Sequence, residues 1–458
     1  MFVSPQGFGL CPITTMVTSK MAQEIAVADR SVGFSEKVGI FSHDFLKLCV
    51  YLDQTEPTRE TFTKNLYAHM VSSAKLLEDF LDFHGAKNNA KWFLYRELVS
   101  SVRNLAQASY SQKHIYIGLP FYDLGDITPV QKDGYNAHKF LTTSLRNICA
   151  YALREAACLG IRFPASQFVW DDFPGIPSND HLEATIDEEN LKDEQEQIVK
   201  ITTKFLRIAT EFEMHNFCQT YNEEATQNII PARFNVEEAR RFEMAVHSLQ
   251  SSFDTYVNRS GLQLQRLKLK GLRGYISVVL HLLEFSRRLL HYYERHLYEV
   301  GYKRACIDAR DQLAKAVNPE KILHYTVNYG LYYANHFLSN GRKLAQELLN
   351  ENVERGTIVV PIPQKMGFHS RPSLLVAKTV QHYGGQVELC AGYDRFDASS
   401  VLDLQWAGGK IQKDDIHEVV FQGDVRALKD LKILASVNYG EDSMGKGIPL
   451  PKELSYLK

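Results

Sequence analysis

The sequence predicts a multidomain, mainly α-helical protein with α/β parts, and three observations carry that prediction. Its 458 residues are too many for one ordinary core and correspond to roughly three domains. Apolar residues recur with helical period over long stretches, above all between residues 188 and 352. Near Val353 this period gives way to the β-branched run TIVVPIP, with Gly356 at the break, so a boundary falls at about residues 350–356.

Composition narrows the class further. Charged residues make up 23%, hydrophobic residues 45%, and the formal net charge is -2, so the chain has no electrostatic bias toward nucleic acid or a membrane surface. The seven cysteines are scattered, odd in number and never in a CxxC pair, which argues against a disulfide framework and a zinc site. No window approaches the ~20 apolar residues of a membrane span, and the N-terminus lacks a basic segment followed by an apolar run. The expectation is a cytoplasmic protein without metal or cofactor.

The elements follow in order. Residues 1–31 carry Pro, Gly and Thr without period and read as a loose lead-in. Residues 32–110 read as a helical hairpin able to dimerise, with helices at 40–53 and 60–83 separated by DQTEPTRE, where Thr58 follows Pro57 as a cap, and a third helix at 92–108. An α/β segment is expected over 111–187: a strand in HIYIGLPF from His114, a helix at 137–159, a strand at 167–170 and the loop DDFPGIPSND. A helical domain then fills 188–352. On it Leu272, Ile276, Val279, Leu283, Leu290 and Leu297 share one face, as do Leu323, Val327, Leu331, Ala334 and Leu338. A further domain at 353–440, opening with the strand TIVVPIP, and a tail at 441–458 complete the chain.

In the segment GFHSRPS, His369 lies between a strand at 357–362 and an apolar-periodic run, which puts it at a helix N-terminus. Free backbone N–H groups and the helix dipole favour an anion there, and Arg371 adds a permanently charged donor fork. Pro372 costs no hydrogen bond in a first turn. An imidazole that titrates near neutrality can take up a phosphoryl group and release it again. His-Ser-Arg alone also fits a capping histidine without chemistry.

GFHSRPS resembles the active-site motif of the HPr phosphocarrier family. The resemblance extends over residues 356–438: a strand at 386–390, a helix at 400–406, a turn at Gly408 and Gly409, a strand at 416–422 and a helix at 425–435 follow in family order. It implies an open-faced βαββαβα sandwich with His369 as phosphoacceptor, Ser370 and Arg371 holding the phosphate, and Ser400 as the serine that HPr kinase phosphorylates. A donor protein of Enzyme I type and a regulatory target would be the partners. Phe368 stands where an aliphatic residue is usual, Ser399 where a lysine or similar residue is usual, and Asp403 puts an acid on the docking face, which slows encounter with an acidic partner. Ser400 equally fits an ordinary helix N-cap.

A second resemblance covers roughly 35–185. FSHDF, SSAKLLEDFLDF, LRNICAYALREA and FVWDDFPGIPSND are similar, in order, to the dimerisation helices and ATP-binding domain of sensor histidine kinases. It implies a second phosphoacceptor at His43 and a nucleotide site at Asn147, Asp171 and Gly175. Tyr151 occupies the place of the metal-binding asparagine, Phe173 replaces the first loop glycine, and no glycine-rich lid follows, so ATP transfer lacks its Mg²⁺ ligand and phosphate cradle. A degenerate, non-ATP-using module and a helical scaffold alike only by chance are both open readings, and a solvated surface histidine is the simplest reading of His43 alone.

Other patterns are weaker. His281, Glu284, His291, Glu294 and His296 have a spacing that could hold a metal, yet the arginines around them favour a solvated charged face. Tyr325, Tyr329, Tyr332, Tyr333 and Phe337 read as packed core, and the basic GLQLQRLKLKGLRG from Gly261 as a turn into a helix. The expected function is a regulatory phosphoryl carrier, favoured over an ATP-dependent histidine kinase. The alternative is an interaction protein that uses the sandwich only for docking.

Overall fold

The computed structural model describes residues 33–55, 61–175, 192–257, 263–298, 300–364 and 367–457. It is mostly helical, 72%, with one four-stranded antiparallel sheet. The helices before the sheet are α1 Phe34–Phe41, α2 His43–Gln54, α3 Lys64–Phe83, α4 Phe93–Gly118, α5 Thr128–Cys158, α6 Lys192–Glu213, α7 Glu223–Ile229, α8 Val236–Tyr256, α9 Gln263–Tyr292, α10 Arg304–Ala316, α11 Pro319–Tyr325 and α12 Tyr332–Asn352. One π-helical turn, Tyr293–Tyr298, continues α9, and another, Thr326–Leu331, links α11 to α12. Then follow β1 Arg355–Pro361, α13 Ser370–Tyr383, β2 Val387–Ala391, β3 Asp394–Asp397, α14 Val401–Lys413, β4 Glu418–Asp424 and α15 Val425–Ser436. Among the described residues, no helix is long and apolar enough to cross a membrane.

The chain divides into two compact units. The first takes Met1–Tyr110, His138–Pro177 and His291–Pro319, and the second Ser111–Ala137, Ser178–Leu290 and Glu320–Lys458. In the first, α1 and α2 pack on α3, which Thr63 starts by accepting the Leu66 N–H at 3.1 Å. Arg96 on α4 is only 7% exposed and donates to three carboxylates: Asp82 at 2.7 and 3.0 Å, Glu78 at 2.9 Å and Glu97 at 2.8 Å. Glu97 also meets His296 Nδ1 at 2.6 Å. A buried charge survives only when fully paired, and each partner here serves the others.

In the second unit the sheet has the order β1-β4-β2-β3, with Ile358 opposite Phe421 and Leu389 also opposite Phe421. Strand periodicity turns Val360, Val387, Leu389 and Phe421 into a core closed by Val376 of α13, Leu404 of α14 and Leu431 of α15. Val359, on the other face, is 60% exposed, so only one face carries helices. Helix α12 packs along α6, and Leu323, Val327, Leu331, Ala334 and Leu338 are all buried, as their spacing predicts.

Several expectations are corrected. The α/β segment at 111–187 has no strand among its described residues. HIYIG ends α4 and LPF follows it as a 3₁₀ turn, with Ile115 and Leu119 each 1% exposed while Ile117 is 45% exposed; burial at i and i+4 is a helical period, not an alternation. Residues 167–170 form no strand, and Trp170–Asp172 is a single 3₁₀ turn with Trp170 exposed. Gly408 and Gly409 lie inside α14: a Cβ on Gly408 would stand 3.0 Å from the Phe368 carbonyl oxygen, so the glycine serves a close approach and not a turn. The face of His281, Glu284, His291, Glu294 and His296 is not solvated. Glu294 and His296 are buried, and His281 Nδ1 meets Glu284 at 2.8 Å. Its charges are spent on internal pairs, and the described residues contain no cluster able to hold a metal ion. The lead-in at 1–31 and the cap at Pro57 and Thr58 lie outside the described residues.

Burial alone would raise the Glu97 carboxyl, but His296 and Arg96 outweigh it and hold the group below its ordinary value. A depressed folded value stabilises the protein above the unfolded glutamate range and loses that stabilisation as pH falls through the folded value. Glu97→Gln should therefore cost about 3 kcal/mol at neutral pH, and the deficit should shrink below about pH 4. Thermal unfolding of both proteins across that range checks this; a deficit that does not change with pH would refute it.

Candidate functional site

Gly367, at φ 59°, turns the chain between β1 and α13 so that His369 becomes the N-cap of α13 with extended backbone (φ -80°, ψ -170°). Its side chain does not cap. The loop is anchored by Ser373 Oγ, which donates to the Phe368 carbonyl at 2.9 Å, and by the Phe368 ring, buried edge-on against Tyr439 at 5.3 Å between centroids. An aromatic at position 368 is thus matched by an aromatic from beyond α15.

His369 Nε2 lies 3.1 Å from Glu441 Oε2. The imidazole is 27% exposed, whereas the Glu441 side chain is 1% exposed and its Oε1 has no hydrogen-bond partner. A buried carboxylate with one unpaired oxygen is costly, and such groups concentrate at functional sites. Facing an ionised carboxylate, which can only accept, Nε2 would carry the hydrogen and Nδ1 would keep its lone pair.

Arg371 is exposed and borders the same tail. A Cβ on Gly447 would fall 2.2 Å from both terminal nitrogens of Arg371, so the guanidinium lies directly against this glycine and would have to swing aside for any side chain there. Glu441 and Gly447 face each other as an isolated antiparallel bridge across a tight turn in which Asp442 Oδ1 accepts the Lys446 N–H at 2.7 Å. Residues 441–447 thus touch both predicted phosphate-handling side chains. Ser370 is exposed in the first turn of α13, where the leading N–H groups have no intrahelical acceptor.

The remaining predicted residues lie elsewhere. Ser400 is the N-cap of α14 and accepts the Asp403 N–H at 3.3 Å. His43 begins α2, half exposed, with Nδ1 2.9 Å from Asp44, and lines a cavity of about 590 Å³ with Glu36 and Arg162. Asn147 on α5 donates to the Ala316 carbonyl at 3.0 Å, which gives it a structural partner. Asp171 is exposed in the 3₁₀ turn, and Gly175 lies near Thr63. Among the described residues no sheet lies between these three, as the α/β architecture of a kinase-type nucleotide site would require.

Sequence reasoning missed Glu441 and Gly447. Seventy-two residues separate Glu441 from His369, and no local pattern links them. The turn signal in EDSMGKG was the only hint that the tail is structured. No protein-family model matches the chain, and neither a curated protein nor a solved structure is significantly similar to it.

The cap at Ser400 has a measurable consequence. Ser400→Ala should cost about 1 kcal/mol of stability while Ser400→Asp costs little, since aspartate caps equally well. Urea unfolding followed by Trp406 fluorescence reads both variants; equal loss in the two would rule out the capping role.

Proposed function

We propose that the chain is a regulatory phosphoryl carrier in which an HPr-like module takes a phosphoryl group on His369. The observation that carries the proposal is the pairing of His369 Nε2 with buried Glu441, which leaves Nδ1 free beside the N-terminus of α13. The strand order β1-β4-β2-β3 with helices on one face supports the open-faced sandwich that the motif implies.

In the reaction, the Nδ1 lone pair attacks phosphorus of a phosphohistidine on a donor protein of Enzyme I type. The Nδ1–P bond forms as the donor's N–P bond breaks, and the donor imidazole leaves with the electron pair. Arg371 and the N–H groups of Ser370 and Arg371 hold the phosphoryl oxygens, while Glu441 stabilises the charge that the ring gains. Reversal passes the group to a regulatory target. No metal is required.

A second reading, docking without transfer, draws on the surface. Leu374, Leu402 and Trp406 are 44%, 63% and 68% exposed on α13 and α14, which pack against each other. Such a patch suits a protein partner in either reading.

Incubation with phosphoenolpyruvate and Enzyme I should produce one acid-labile phosphate per chain, absent in His369→Ala. Glu441→Gln should keep the label but acquire it roughly tenfold more slowly, the effect of losing one charge-assisted hydrogen bond. Wild-type protein that stays unlabelled would sink the transfer reading. Partner binding that survives His369→Ala would then favour docking.

A further inference from the structure

The first unit contains a cavity of about 500 Å³, distinct in residues and chemistry from the surroundings of His369. Five permanently charged cations line it: Lys87, Arg96, Arg103, Arg295 and Arg310. Only three carboxylates do so, and each is doubly engaged. Asp82 binds Arg96 and Lys87, Glu78 binds Arg96 and Arg103, and Glu97 binds Arg96 and His296.

The three carboxylates are therefore already taken up by partners within the protein. Burial would raise the Asp82 and Glu97 groups, yet their cationic partners prevail and keep both low. Among the residues that line it, cations exceed carboxylates by two, an excess that Asp311, paired with Arg310 just outside the lining, reduces to one. A partly enclosed wall lowers the local dielectric and strengthens the field of that excess.

Geometry adds to charge. Arg103 uses Nε and Nη2 on Glu78, leaving Nη1 for another acceptor. Arg310 pairs with Asp311, which is 54% exposed, a contact that a ligand could replace at little cost. The π-helical turn Tyr293–Tyr298 brings Arg295 and His296 to the wall, and turns of this kind occur often at functional sites. Phe93 and Leu313 give the cavity an apolar part, which suits an organic body and not a bare inorganic ion.

We propose that this cavity binds a small organic anion, with carboxylate or phosphate oxygens engaged by Arg103, Arg295 and Arg310. Calorimetric titration of the full chain at constant ionic strength tests it, with succinate as the carboxylate probe and glycerol 3-phosphate as the phosphate probe. One of the two should bind saturably at one site per chain, and the stronger probe names the anion class. Affinity should fall roughly tenfold in Arg310→Gln, as expected for one hydrogen bond to a charged group, and remain unchanged in His369→Ala. Three results would overturn the proposal: no saturable binding of either probe, binding unaffected by both Arg310→Gln and Arg295→Gln, or binding lost in His369→Ala. Because Arg310 is partly exposed and outside the Arg96 network, its variant should stay folded, so failed binding is not mistaken for unfolding.

Discussion

The corner at Asn438 and Tyr439 is the constraint on which the C-terminal site depends. Both residues take left-handed backbone, at φ 47° and 54°, a conformation that L side chains adopt only when their surroundings hold them there. Asn438 Oδ1 accepts the Gln364 N–H at 2.9 Å and its amide donates to the Glu441 carbonyl at 3.1 Å. The Tyr439 hydroxyl, otherwise buried, donates to the Pro361 carbonyl at 2.8 Å. Those bonds redirect the chain after α15, and Glu441 reaches His369 only because of that redirection. Leu454 and Leu457 then close on the sandwich core, so the last residues are part of the fold.

The same logic, a polar group held where solvent cannot reach it, operates in the first unit. Arg96 keeps its charge at that depth through Glu78, Asp82 and Glu97, and each of those carboxylates is held by a second partner as well, Arg103, Lys87 and His296 respectively. The interior there is specified by charge as much as by apolar packing. Along the cavity the lining cations outnumber the lining carboxylates.

Much of this was legible in the sequence, but unevenly. The apolar stripes of α9 and α12, the change to strand after Asn352, and the placement of His369 before α13 all follow from local period and turn chemistry, and they match the structure. HIYIGLPF did not, because β-branched and aromatic residues suit a strand in isolation and only tertiary burial of Ile115 and Leu119 selects the helix. The charged face of α9 and its π-helical extension misled for the opposite reason: polar residues usually face water, and their buried partners, such as Glu97 for His296, lie 199 residues away. Of the C-terminal site, His369 and Arg371 were visible as a motif. Glu441 was not, since it depends on a corner that no periodic pattern records.

The attachment of the sandwich also sets how it can meet other molecules. Only Val353 and Glu354 separate α12 from β1, and the Asn350 side chain accepts the Gln386 N–H at 3.0 Å while Gln346 donates to the Gly384 carbonyl. Arg426 adds bonds to Thr203 of α6 and to the Tyr383 carbonyl, both at 3.2 Å. A carrier on a long flexible tether searches a volume set by its linker and gains a high effective concentration near sites on its own chain. The sandwich has no such linker to the helices of its own unit. His369 is presented from a fixed mount there, so on the phosphoryl-carrier proposal the exchange partner has to be brought to it, and the local concentration of that partner sets the rate of exchange.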